Sequence, residues 1–201
     1  MDSLSLDSPQ TLLSSGSLRS FLYNNSDNYY ETVAQMEDLS QLIERNQSFW
    51  RHTPTVIPVR SRALSDNFGM RTDPFTKKRE YHAGIDFRAK RGTPIHAPAD
   101  GTVRIADRKS GFGLLVELQH GRGFFPGKKN HVRYRTRYAH LSKIKVRRGQ
   151  KIKRGDLLGL VGSTGRSTGP HLHYEMIING RHTNPLFPIS RFNPDQLLYR
   201  N

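Results

Sequence analysis

Between residues 85 and 178, short runs rich in β-branched, aromatic and aliphatic residues recur, separated by Gly- and Pro-containing turns with no long helical period between them. They are 85–89, 101–107, 114–119, 133–138, 157–161 and 174–178. Many short strands joined by tight turns predict a mainly β chain built on an antiparallel β-sheet domain. With 201 residues, 34% of them hydrophobic, the chain can bury one sizeable core and little more.

The last of these runs carries the chemistry. A Gly/Ser/Thr-rich loop, Gly162–Pro170, leads into His171-Leu172-His173-Tyr174-Glu175, and Asn179-Gly180 closes the run as a hairpin turn. On a strand, residues two apart share a face, so both imidazoles project together toward whatever the loop borders. Two such histidines can both ligate one metal, or one can ligate while the other handles protons. A pair of surface histidines on a polar strand face satisfies the same spacing. Upstream, His82-Ala-Gly-Ile-Asp86 adds a nitrogen and a carboxylate, and Gly84 with Ile85-Asp86-Phe87 indicates a turn entering a strand. A third element, Tyr138-Ala139-His140-Leu141, ends a basic strand. Histidine and aspartate scattered in sequence are common raw material for a zinc site.

In order along the chain stand Asp66-Asn-Phe-Gly-Met-Arg71, His82–Asp86, Gly92-Thr-Pro-Ile-His-Ala-Pro-Ala-Asp-Gly101, Tyr138–Leu141, Gly149-Gln-Lys-Ile-Lys-Arg-Gly-Asp156, the Gly162–Pro170 loop, His171–His173 and Asn184-Pro185. The series resembles the lysostaphin/LytM-like zinc metallo-endopeptidases, which cut peptide bonds in bacterial peptidoglycan, and it covers residues 56 to 188. The resemblance implies that His82, Asp86 and His173 hold one zinc ion, and that His140 and His171 flank the attacking water. It implies a catalytic domain related to the barrel-sandwich hybrid (duplicated hybrid motif). The substrate it implies is a peptide cross-link of the wall, D-alanyl cross-links ahead of glycine bridges. Glu175 shares the strand face of His173 and is either an acceptor orienting a ligand imidazole or a solvated carboxylate. Which of His140 and His171 acts as base is left open by the sequence.

The expected organisation is a flexible tail over 1–27, a helix and linker over 28–52, the catalytic domain over 53–188, and a C-terminal tail over 189–201. Asn28 with Glu31 fits a helix-capping box, and Met36, Leu39 and Ile43, widened by Val33, Leu42 and Phe49, form an apolar stripe. Such a helix packs on its own domain or pairs two chains, so monomer and helix-mediated dimer both stand. Residues 1–27 do not read as a signal peptide, and no stretch is long and apolar enough to span a membrane. A wall substrate nevertheless implies the cell envelope or periplasm, so either these residues are a processed or truncated product of a longer chain with a membrane anchor ahead of them, the preferred reading, or export uses a signal not visible in them.

The formal charge of +15 points to an anionic partner. The cations, among them Lys143, Lys145, Arg147, Arg148, Lys151, Lys153 and Arg154, are interleaved along strands, the pattern of a solvated sheet face and not of a groove-reading element, so no nucleic acid is expected. Cysteine is absent, so any metal is held by nitrogen and oxygen. The segments 92–103 and 146–161 resemble the hammerhead of biotinyl and lipoyl carrier domains, but the Met-flanked attachment lysine is missing. A non-catalytic activator of other wall hydrolases is the remaining alternative, and its usual mark, a lost ligand, is missing too. His96 reads as a packed or edge side chain and His120 as the turn after a strand. His52, His131 and His182 show no partner pattern. The stretch Gly121–Asn130 is longer than the His-Gly-Asn-Gly turn usual in the family, and its direction toward His140 predicts a place on the rim of the substrate groove.

Overall fold

The computed structural model describes residues 26–61, 63–125 and 131–192. The chain divides by its internal contacts into two compact units, Met1–Asn46 and Gln47–Asn201. A helix, α1, runs over Ser26–Arg51. Residue 26 is already helical, so Asn28 sits inside the helix and does not cap it. On the expected stripe Met36 is 64% exposed, while the side chains of Leu39, Leu42 and Ile43 lie outside the described residues. No described helix is long and apolar enough to cross a membrane. Most of the expected tail 1–27, and the tail 189–201 beyond residue 192, likewise fall outside the described residues.

From residue 64 the chain is strand after strand. In order these are β1 (Leu64–Asp66), β2 (Gly69–Thr72), β3 (Arg79–His82), β4 (Ile85–Arg88), β5 (Pro94–His96), β6 (Gly101–Lys109), β7 (Gly113–Gly123), β8 (Val132–Leu141), β9 (Lys143–Ile144), β10 (Lys151–Ile152), β11 (Leu157–Leu160), β12 (His171–Ile178) and β13 (Arg181–Thr183), followed by a short helix, α2 (Leu186–Phe192). An eight-stranded sheet has the order β1-β4-β12-β8-β7-β6-β10, with β13 paired to β12; β5-β11-β9 and β2-β3 form two smaller sheets. The pairings are antiparallel throughout.

Alternation sorts the residues of the large sheet. Ile85, Phe87, Val116, Leu118, Tyr134, Tyr138, Leu172, Tyr174 and Met176 enter one apolar core. The intervening residues Asp86, Glu117, Arg137, His173 and Glu175 therefore share the opposite face. Burial of the aromatic and aliphatic row fixes the register, because a one-residue slip would exchange the two faces.

The end of α1 is tied to the sheet by Arg154, whose Nη2 donates to the carbonyls of Trp50 (2.6 Å) and Thr53 (3.1 Å), satisfying backbone acceptors that a helix end leaves open. The long β7–β8 connection corrects an expectation. Its described residues sit where Gly123 pairs with Val132, whereas Leu114 pairs with Leu141 at the other end of the hairpin. From Val132 to His140 the strand runs about 26 Å at roughly 3.3 Å per residue, so the described residues of this connection are not on the rim of the groove. Phe124 packs on Phe49 and Trp50 and His131 stacks on Phe49, while Phe125 meets Phe187, so both aromatics of the loop serve packing. Residues 126–130 lie outside the described set.

Candidate active site

Three central strands and one hairpin supply the site. In the register, Asp86 on β4 is the direct partner of His173 on β12, and His173 is in turn opposite Ala139 on β8. Antiparallel partners bring Cβ atoms to about 5 Å, close enough for a carboxylate and an imidazole to touch. His82 ends β3 and reaches the same point through the Ala83-Gly84 turn. Gly84 is needed there: a Cβ would lie 2.5 Å from the Tyr174 carbonyl oxygen and 3.0 Å from the His173 ring.

His140 arrives by a different device. Strict alternation from core residue Tyr138 would send it into the core. Leu114 pairs with Leu141 but Val116 pairs with Tyr138, so β8 carries an extra residue, a bulge. His140 takes φ of 60°, a left-handed conformation uncommon for a non-glycine, and its ring turns instead toward His171, with centroids 4.8 Å apart. Backbone strain of this kind clusters at functional positions.

All five sequence-predicted site residues thus line one open cleft of about 470 Å³. Within it His173 Nδ1 lies 2.8 Å from Asp86 Oδ1 and 3.0 Å from His82 Nε2, and His82 Nε2 lies 3.3 Å from Asp86 Oδ1. The other nitrogen of each ring is already committed. His82 Nδ1 donates to the Asn67 carbonyl at 2.7 Å, and His173 Nε2 donates to Glu175 Oε1 at 3.2 Å. Two ring nitrogens and one carboxylate oxygen therefore converge, an arrangement that calls for a shared positive charge. Nitrogen and oxygen donors in this number suit zinc, with positions left for water or substrate.

His140 and His171 stand beside this group. His140 Nδ1 donates to the Thr164 carbonyl and His171 Nδ1 to the Gly169 carbonyl, both at 2.8 Å. Each Nε2 is thereby left as an acceptor, and that of His171 lies 3.9 Å from Asp86 Oδ1. Burial pushes the His140 imidazole down to about 4, with further depression from the neighbouring His171 and His173, so it is neutral at pH 7. Burial also works against the Asp86 carboxylate, but hydrogen bonds from His173 and His82 outweigh it and hold Asp86 well below the usual carboxylate range. At His173 burial is again the largest influence, opposing charge, yet Asp86 and Glu175 together push the imidazole up to about 9. The centre is built to favour a cation.

Several contacts lie outside what the sequence indicates. Arg71 of the hairpin β2–β3 pairs with Asp66 and, at 3.3 Å, with Asp86 Oδ2, so the second carboxylate oxygen is held as well. Glu175 resolves as a buried acceptor and not a solvated group, shared by His173, Arg137 and His182. His182 accordingly has a partner, at 3.1 Å. His120 corrects the turn expectation: β7 continues through it, and its buried ring bridges the Asp100 carbonyl and the Thr136 hydroxyl. Strand alternation already puts Glu175 beside His173, but the contacts of Arg137 with Glu175, of Arg71 with Asp86 and of His120 with Thr136 cross between separate strands, so no spacing rule could place them.

An antiparallel β domain with a His/Asp/His centre in an open cleft, flanked by two further histidines, defines a class of metallohydrolase. The chain belongs to peptidase family M23, whose family model matches residues 80–185. It is 39% identical over 158 residues to the peptidoglycan DD-endopeptidase ShyA of Vibrio cholerae, covering 78% of this chain and 34% of that protein. It is 49% identical over 117 residues to an uncharacterized metalloprotease of Haemophilus influenzae, covering 58% and 22%. It is also 43% identical over 123 residues to the DD-carboxypeptidase/endopeptidase Mpg of Neisseria meningitidis, covering 61% and 26%. The chain thus spans about a fifth to a third of the length of these relatives. Among solved structures, a zinc-containing peptidase from Vibrio cholerae superposes with a TM-score of 0.55 at 36% identity, covering 64% of this chain and 38% of that one. The catalytic domain of lysostaphin from Staphylococcus simulans gives 0.51 at 29% identity, covering 62% and 89%.

Proposed function

We propose that residues 53–188 form the catalytic domain of a zinc-dependent peptidoglycan endopeptidase that hydrolyses peptide cross-links, D-alanyl cross-links in the first place, in the cell envelope outside the cytoplasm. The observation that carries this reading is the convergence of His82 Nε2, Asp86 Oδ1 and His173 Nδ1 in an open cleft, with the Nε2 acceptors of His140 and His171 beside it. Zinc bound by these three residues would supply an activated water and a polarised scissile carbonyl.

The chain's own side chains supply the proton handling. The sequence contains no H-E-x-x-H glutamate of the kind many zinc proteases use, and an imidazole can take that role near neutral pH. His140, neutral and with Nδ1–H anchored on Thr164, presents Nε2 as a proton acceptor on the cleft side. His171 is anchored in the same way on Gly169. After accepting a proton, either ring becomes a donor able to stabilise the developing oxyanion or protonate the leaving amine. Carbonyl anchors on both rings fix their tautomers before substrate arrives.

The ligand set is complete, which disfavours a non-catalytic activator, and the DD-endopeptidase and carboxypeptidase activities of the relatives favour a cross-link of the D-alanyl kind. Digestion of isolated cell-wall sacculi tests the reading. Cross-linked dimers should fall to monomers with the zinc-loaded chain and persist with chelator. Dimers that survive the zinc-loaded chain would overturn it.

A further inference from the structure

Behind His173, on the same face of the large sheet, acidic and basic side chains alternate across four strands. Arg104 on β6 donates from Nη1 to Glu117 Oε1 on β7 at 2.8 Å. Arg137 on β8 donates from Nε to Glu117 Oε2 at 2.6 Å and from Nη1 to Glu175 Oε2 on β12 at 3.1 Å. Glu175 Oε1 then accepts from His173 Nε2 at 3.2 Å. The register explains the row, since Arg137 is the direct cross-strand partner of both Glu117 and Glu175. Arg135 adds a longer contact to Glu117 at 3.4 Å.

Glu117 is 0% exposed, and among the described residues its three ion-pair partners are arginines. A buried carboxylate is costly unless it is paired, and well-packed apolar residues often stabilise such a position as well or better. Stability alone is therefore a poor reason for this arrangement. Its geometry supplies another. The guanidinium is planar and rigid, so fixing Nε on Glu117 fixes where Nη1 points, and that sets the angle of the Glu175 carboxylate. Arg137 also lies over the Phe112 ring, which packs against His173.

We propose that Glu117 and Arg137 are positioning residues for the metal centre, acting through Glu175 to hold the His173 ring with Nδ1 turned toward Asp86 and His82. This rests on the reading of His173 as a ligand. Glu117 acts from two strands away, about 10 Å at the usual strand spacing, and touches neither metal nor substrate.

The test uses the full chain and the variants Glu117→Gln and Arg137→Lys, the second of which keeps the net charge but loses the two-pronged donor. Zinc affinity is measured by chelator competition, with an expected weakening of about 10–100-fold in each, the range for loss of a group that orients a metal ligand. In the zinc-free protein, the His173 Nε2–H proton should exchange with water at least about 10-fold faster than in wild type, because Glu175 no longer shields it in one geometry. That readout needs no metal, so it decides the proposal even if zinc binding itself fails. In Glu175→Gln the further change Glu117→Gln should cost less than about 2-fold, since both act through one path. Wild-type zinc affinity and exchange rate in both single variants, with only a lowered Tm, would overturn the proposal, and so would fully additive losses in the double variant.

Discussion

His82 Nε2 and His173 Nδ1 lie 3.0 Å apart, brought together from opposite sides of Asp86 across 91 residues of sequence. Each ring spends its other nitrogen on a fixed acceptor, Asn67 for one and Glu175 for the other. The facing nitrogens cannot both keep their lone pairs at this distance without a cation between them and the carboxylate. This pair links the sheet register to the chemistry.

The flanking histidines should separate chemistry from binding. His140→Ala and His171→Ala should each keep stoichiometric zinc by metal analysis yet lose turnover on a cross-linked peptide by about 100-fold or more, the scale of general acid–base contributions. Zinc loss in His171→Ala, matched by zinc retention in His173→Ala, would show that the two members of the His-x-His pair exchange roles.

Gly84 offers a test from the backbone. Because a Cβ there would meet the Tyr174 carbonyl at 2.5 Å, Gly84→Ala must push the β3–β4 turn away from β12. Overpacking of this kind costs about 1–3 kcal/mol, and it also moves His82 relative to His173. Tm and zinc affinity should fall together. A Tm drop with unchanged zinc affinity would show that the turn does not set the position of His82.

Acid stability should depend on His120. Burial pushes its imidazole down to about 4 from the usual 6.5. The unfolded chain then binds the proton more readily than the folded one, so folding loses stability as pH falls from about 6.5 and the loss levels off below about 4. The difference corresponds to about 3 kcal/mol. Urea unfolding of His120→Gln should show a shallower decline across this window than wild type. Parallel declines would mean that the ring is not buried in its neutral form.

The basic surface predicts salt-sensitive wall association. A chain of formal charge +15 would meet an anionic wall through many weak contacts, and the Debye length falls from about 10 Å at 0.1 M salt to about 3 Å at 1 M. Pull-down with sacculi should weaken strongly over that range, while hydrolysis of a small soluble cross-linked peptide changes much less. Salt-independent pull-down would assign wall binding to groups other than these cations.

Much of this molecule is legible in its sequence, for identifiable reasons. The alternation in 172–178 and 133–138 shows which residues face the core, and the His-x-His spacing follows from it. Glu117 leaves a similar but weaker trace, a lone acid between Val116 and Leu118 in an apolar strand. Its partners Arg104 and Arg137 become visible only once strand order is known. His140 is harder still, because alternation points it into the core and only the bulge with its left-handed φ turns it outward. The β7–β8 loop misleads for a topological reason: a hairpin has two ends, and chain direction toward His140 does not tell which end lies near it.

The most direct test of the account is zinc stoichiometry and coordination, measured by metal analysis and X-ray absorption on wild type and Asp86→Ala. Wild type should hold one zinc per chain with only nitrogen and oxygen donors, at about 2.0–2.2 Å, and Asp86→Ala should lose most of the metal. Full zinc occupancy with unchanged coordination in Asp86→Ala would contradict the assignment of His82, Asp86 and His173 as the metal centre.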